Sequence, residues 1–297
     1  MKQLFVEKNF KQASMDIIHD ANLIIDEYRA QGFILTLRQL YYQFVARDLL
    51  PNTQQSYKRL GSIINDARLA GLVDWQSIED RTRNIKANYH YENPRQAIQD
   101  ALDTYEIDMW ENQPERVEVW IEKEALAGVI AGVCNEMDVP YFACRGYVSQ
   151  SEQWRAYGRA RHYELGRNQT TVILHFGDHD PSGIDMTRDN QDRLDMFMGW
   201  NAVKVERLAL NWDQIEEFNP PPNPAKMTDS RFASYAEQYG DQSWELDALE
   251  PSVMTDMIRQ HVQQHRDPAL WSDKEEEREN HQYQLQDIID NLGDDDE

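Results

Sequence analysis

Two aspartates one residue apart, Asp178 and Asp180, lie in the segment Gly177-Asp-His-Asp-Pro-Ser-Gly183. The preceding Thr171-Val-Ile-Leu-His-Phe176 is a β-branched and apolar run that predicts a buried parallel strand ending at Gly177. Ligands of open α/β sheets bind at the carboxyl ends of the strands. Extended chain puts residues i and i+2 on one side, so both carboxylates can reach one hard cation such as Mg²⁺. Pro181 and Gly183 then turn the chain toward a helix. The same residue types also make an ordinary turn, and spacing alone does not separate the two readings. His175, inside the strand, is expected to be packed or hydrogen-bonded, and His179 to point away from its acidic neighbours.

A second candidate is Tyr42, four residues after Arg38 and therefore on the same side of a helix. An arginine beside a phenol stabilises phenolate character and can hold a phosphate, the requirements of a tyrosine nucleophile. A surface tyrosine stacked on a neighbouring arginine has the same spacing. Helical phase sets Tyr42 about 100° from Tyr41, which belongs to the apolar stripe. Tyr41 is thus expected inside and Tyr42 on the outer edge.

The elements carrying these groups can be read from periodicity. Ile17, Ile18, Ala21, Ile24, Ile25 and Tyr28 recur at helical spacing. A second helix starts at Thr36, with Gln39 closing a capping box and Leu35 facing Leu40 as a hydrophobic staple. A third, Gln54 to Ala70, turns Tyr57, Leu60, Ile64 and Ala67 inward and leaves Lys58, Arg59 and Arg68 for other contacts. Gly71 fits the end of that helix, and an extended piece at Leu72–Trp75 completes a possible winged helix-turn-helix. Such a module binds DNA or only protein. Arg81, Arg83 and Lys86 after the wing are cations of the type that positions a duplex by its backbone.

Beyond a linking helix and the polar break Glu111-Asn-Gln-Pro-Glu115, strands at Val117–Ile121, Val139–Cys144, the aspartate strand and Ala202–Leu208 alternate with helices. That order predicts a parallel α/β sheet. Glu122 ends the first of these strands, on the rim expected to carry Asp178 and Asp180. Three carboxylates there suit one or two metals able to polarise a phosphodiester and stabilise a leaving 3′ oxygen.

A Glu after the first strand and an Asp-x-Asp after a later one closely resembles the Toprim fold. Gly177-Asp-His-Asp-Pro-Ser-Gly183, the pair Glu122-Lys123 and Arg38-Gln-Leu-Tyr-Tyr42 resemble motifs of the DNA-cleaving A subunit of topoisomerase VI and of its relative, the meiotic double-strand-break protein. Pro220–Lys226 and Trp244–Leu249 are similar to segments that follow the Toprim core in that family, so the resemblance runs from about Phe33 to Leu249. Gln39 departs from the acidic residue usual at its position, and little chain precedes the winged helix.

The resemblance implies a mixed α/β chain with a winged-helix DNA-binding domain at 1–110, a Toprim metal-binding domain with a helical extension at 115–271, and an acidic tail at 272–297. It implies Mg²⁺, with Mn²⁺ as substitute, held by Glu122, Asp178 and Asp180. Tyr42 would be the nucleophile, with Arg38 and Glu122 as further catalytic residues, and Lys58, Arg59, Arg68, Arg81 and Arg83 would face DNA. It further implies double-stranded DNA as substrate and a homodimer in which the tyrosine of one subunit meets the metal site of the other. A compact, stand-alone form of the kind found on mobile elements is one reading, and an ATPase B-type partner stays open.

Charge bears on this reading in two ways. The formal net charge of −23 runs against the basic footprint of nucleic-acid binders. Yet 272–297 holds eleven acidic and two basic residues, whereas 33–95 holds nine basic and six acidic ones, so the amino-terminal third is locally basic. The acidic tail is expected as a solvated helix with a disordered end at Asp294–Glu297. No apolar run reaches membrane-spanning length and no signal-peptide pattern opens the chain, so a cytoplasmic protein is expected. Cys134 and Cys144 fit no metal-ligand spacing and read as packed thiols. Three functions follow: tyrosine transesterification of DNA, metal-dependent hydrolysis on the same fold, and DNA binding without chemistry.

Overall fold

The computed structural model describes residues 1–79, 88–198 and 203–292. Helix α1 (Gln12–Ala30) buries the six residues of its expected stripe, Ile17 through Tyr28. Helix α2 (Leu37–Ala46) begins with the capping box: Thr36 accepts from the Gln39 amide and Gln39 accepts from the Thr36 amide. In α3 (Gln54–Leu69), Thr53 caps the amide of Ser56, and Leu60, Ile64 and Ala67 turn inward. The three helices share one apolar core with Leu35, Val73 and Ile78. Each fully buried Ile or Leu contributes roughly 1.5–3 kcal/mol by leaving water.

Gly71 takes φ +71°, and a Cβ there would sit 2.9 Å from the Leu4 amide nitrogen, so only glycine lets the amino-terminal segment cross. The piece expected as a wing differs: within 70–79 the chain makes isolated bridges, Leu4 with Ala70 and Leu35 with Ile78, and no strand. Arg81, Arg83 and Lys86 lie outside the described residues.

Helix α4 (Pro94–Asp103) is capped by Asn93. Next come β1 (Glu115–Ile121), α5 (Ala127–Glu136), β2 (Tyr141–Ala143), α6 (Gln150–Arg167), β3 (Thr170–Phe176), α7 (Pro181–Met198) and β4 (Val203–Ala209). The strands form one parallel sheet in the order β2-β1-β3-β4, so the chain is mixed α/β. Alternation along each strand sorts the two faces. Val117, Val119, Ile121, Val172, Leu174 and Phe176 pack with α5, whereas Trp120, Ile173 and Val203 pack under Ala156 and Ala160 of α6 and Leu194 of α7.

Beyond the sheet, α8 (Trp212–Phe218) leads to a short antiparallel pair, β5 (Asn223–Pro224) with β6 (Gln242–Ser243), around α9 (Phe232–Tyr239). Helix α10 (Pro251–Gln264) lies on α5 through Met254, Ile258 and Val262. Val253 and Met257 lie to one side of that buried line and are half-buried. Helix α11 (Pro268–Asn291) starts before the expected acidic tail and is anchored on α4, burying Trp271, Lys274 and Ile289. Its acidic residues cover the outside of a packed helix; Asp294–Glu297 lie outside the described residues. No helix among the described residues is long and apolar enough to cross a membrane.

Candidate active site

Strands β1 and β3 are direct neighbours, Ile121 opposite Phe176, and their ends bring Glu122 beside Gly177 and Asp178. The Glu122 amide donates to Phe176 O at 2.8 Å, and the Asp178 amide donates to Glu122 Oε2 at 2.9 Å. Burial, and then the charges of Asp178 and Asp180, push the Glu122 carboxyl above the usual range. Asp178 is also raised by burial, against the pull of Lys123. Asp180 opens α7: its Oδ1 accepts from Ser182 Oγ at 2.8 Å and from the Gly183 amide at 2.6 Å. That turn is so tight that a Cβ on Gly183 would lie 2.2 Å from Asp178 O. The two histidines stand as expected. His175 is fully buried with Nδ1 2.8 Å from Thr187 Oγ1, and His179 turns into a nest of Trp212, Tyr235, Tyr239 and Trp244.

Two groups that sequence reasoning did not assign to the site hold this rim together. Arg207 of β4 donates to the carbonyls of Gly177 (3.1 Å), Asp178 (2.7 Å), Gly183 (2.9 Å) and Leu210 (3.1 Å), fixing the acidic loop from below. A lone arginine in Val203-Lys-Val-Glu-Arg-Leu-Ala209 is its only trace in sequence. The other group is the segment after β6. Trp244 and His179 exchange both backbone hydrogen bonds, at 2.8 and 3.0 Å, and the Leu246 amide donates to Asp178 Oδ1 at 2.8 Å. This clamp delivers Glu245 and Asp247 to the same rim.

Lys123 sits at the centre of the result. Its ammonium lies 2.9 Å from Asp178 Oδ1, 3.0 Å from Glu245 Oε2 and 3.6 Å from Asp247 Oδ2. Arg38 reaches across from α2 to pair with Glu245 and, through Nε at 2.9 Å, with Asp247. The Asp247 carboxylate is 3 % exposed and has no hydrogen bond among the described residues, so its charge is met by these ion pairs alone. Burial, and then the Glu245 charge, hold the Tyr42 phenol above its ordinary pKa, and the Arg38 guanidinium carbon lies 5.8 Å from its ring centre. One connected network therefore runs from Tyr42 and Arg38 through Glu245 and Lys123 to Asp178.

Tyr42 differs from its expected position on the outer edge of α2: it is 4 % exposed, as buried as Tyr41. The cause is tertiary. The turn Leu246–Ala248 covers the side of α2 that helical phase left open. The network also joins Tyr42 to carboxylates of its own chain, where the resemblance implied those of a partner. Lys58 and Arg59 are exposed on α3, whereas Arg68 turns inward and donates to the carbonyls of Trp75 (3.1 Å) and Ile78. Arg68 is thus engaged by its own chain.

The donor set of Glu122, Asp178 and Asp180 is all hard oxygen, and burial, followed by the neighbouring carboxylate charges, raises Glu122. That chemistry fits Mg²⁺. Among the described residues no three acidic, histidine or cysteine side chains converge tightly enough to enclose an ion as they stand. Compared with protein-family models and with curated proteins, the chain matches none.

Proposed function

We propose that this protein cleaves double-stranded DNA in a Mg²⁺-dependent reaction, with Tyr42 as nucleophile, in the manner of the topoisomerase VI A subunit. In this reading α1–α3 form a helix-turn-helix DNA-binding domain, residues 115–271 form a Toprim domain, and two chains act as a homodimer, each cutting one strand. The observation that carries it is the single charge network joining Tyr42 and Arg38 to Asp178, whose neighbour Glu122 completes the rim.

The Tyr42 hydroxyl gives its proton to water, its oxygen bonds to a backbone phosphorus as the P–O3′ bond breaks, and the 3′ oxygen leaves as a hydroxyl by taking a proton from water, giving a 5′-phosphotyrosyl link. Arg38 and Lys123, with Glu245 turned aside, face the charge that grows on the phosphate oxygens. Glu122, Asp178 and Asp180 would hold Mg²⁺, with Mn²⁺ as substitute, which supplies Lewis-acid stabilisation of the phosphate and the departing oxygen when bound. Arg207 keeps Asp178 and the start of α7 in register with Glu122.

A second reading, hydrolysis by metal-activated water without a covalent link, is favoured by the burial of Tyr42, which raises the pKa of its phenol. Tyr42→Phe separates the two. Duplex DNA incubated with protein and Mg²⁺ is resolved on a denaturing gel before and after protease treatment. Transesterification predicts a protease-sensitive shift of 5′ ends that the variant abolishes together with cleavage. Full-rate cleavage by the variant, with free 5′ ends, would sink the tyrosine mechanism in favour of hydrolysis.

A further inference from the structure

We infer that Arg38, Lys123 and the Tyr42 hydroxyl form a binding site for a backbone phosphate of nucleic acid, and that Glu245 occupies it as an internal stand-in. The inference rests on the nucleic-acid reading of this same site.

The geometry is that of an anion cradle. Arg38 Nη2 and Lys123 Nζ converge on one atom, Glu245 Oε2, and Tyr42 lines the same cavity as Arg38 and Glu245. Guanidinium and ammonium donors around one anionic oxygen, with a phenol beside them, are the set that recognises a non-bridging phosphate oxygen. Glu245 Oε2 therefore stands where such an oxygen would sit. The two cations outweigh burial and hold Glu245 at a pKa of about 2, so the stand-in is fully charged.

Two further observations separate a removable occupant from a structural one. Asp247 is buried and grips Arg38 by Nε, which keeps the guanidinium in place while its Nη side faces Glu245. Glu245 is instead 26 % exposed, on a longer side chain, at the edge of an open cavity of about 380 Å³. That volume lies within the roughly 300–1,000 Å³ range of ligand clefts. Its rim carries Asn52, Thr53, Gln54 and Tyr57, polar and aromatic groups suited to the sugar and base beyond a phosphate. An entering phosphate has only to turn Glu245 outward; Arg38 and Lys123 are already aimed.

The test is binding without cleavage: fluorescence anisotropy of a labelled duplex with the full chain in EDTA, across a salt series, with deoxyadenosine monophosphate as competitor. Glu245→Gln keeps the shape and removes the charge. It is expected to tighten duplex binding about tenfold and to steepen the slope of log K against log salt by about one unit, the signature of one more phosphate contact. Arg38→Ala and Lys123→Met are expected to weaken binding and flatten the slope. Glu245→Asp, with its carboxylate drawn back, should fall between wild type and Glu245→Gln.

Unchanged or weaker duplex binding by folded Glu245→Gln overturns the inference. So does unfolding of both Glu245 variants, which would assign the residue to holding the helices on the sheet. A gain confined to the mononucleotide overturns nucleic acid as the occupant. Tighter binding with no cleavage by any form in Mg²⁺ leaves the cradle standing and removes the cleavage reading; cleavage without the gain does the reverse.

Discussion

Lys123→Met removes a cation that touches three carboxylates while leaving the side-chain stem. At an effective dielectric of about 20, each ion pair near 3 Å is worth roughly 5 kcal/mol gross. Desolvation of the ammonium and repulsion among Asp178, Glu245 and Asp247 oppose that gain. The relevant comparison is the loss of one partner from a buried pair, which costs about 3–5 kcal/mol because the remaining charge has no counter-ion. The Lys123 side chain is 20 % exposed and that of Asp247 2 %, so solvent does little to screen the charges left behind. For a chain of this size such a loss lowers Tm by roughly 10 °C. Differential scanning fluorimetry at neutral pH measures it, and Lys123→Met with Asp247→Asn should recover at least a third of the drop by deleting the most buried charge. A Tm shift below about 2 °C, or no recovery in the double variant, would refute the claim that the ammonium neutralises a buried carboxylate cluster.

Two other outcomes follow from the same rim. Burial, and then the charge of Arg207, depress the His175 imidazole to about 3, against an ordinary 6.5. The folded chain thus binds fewer protons than the unfolded one between these values. The stabilisation is complete above pH 6.5 and is lost as pH falls toward 3, at up to roughly 1.4 kcal/mol per unit; His175→Asn should flatten that part of a urea-midpoint-versus-pH profile. Gly183→Ala forces a methyl into Asp178 O, so loss of roughly 2 kcal/mol or more is expected in urea denaturation, and retention of wild-type stability would mean that the turn into α7 is looser than described.

The parts of the fold written in local pattern were legible from the sequence. The stripe of α1, the capping box of α2 and the apolar strands depend on neighbours within a few residues, and the structure has them where periodicity put them. The positions of Glu122, Asp178 and Asp180 at strand ends followed from the same reading. What could not be read is contact across long separations. Phase along α2 assigns Tyr42 a side but cannot say that Leu246–Ala248 will cover it. Glu245 and Asp247 look like an ordinary acidic turn until the Trp244–His179 bridge sets them against Lys123. Arg68 is a further case: helical phase leaves its face open, yet a loop ten residues on takes its guanidinium.

The Arg38–Glu245 contact spans 207 residues, which bears on how the chain assembles. Contacts within α1–α3, and those between neighbouring strands, close short loops and can form early; the ties from Arg38 to Glu245 and from Tyr28 to Glu250 close most of the polypeptide at once. The rim therefore needs nearly the whole chain in place. Native-state hydrogen exchange should find the Leu246 amide opening at lower free energy than the amides of β1 and β3. A chain on its way to the native state would carry its acidic sheet edge and the helix of Tyr42 already formed yet apart, and the two would meet only when nearly the whole molecule has assembled.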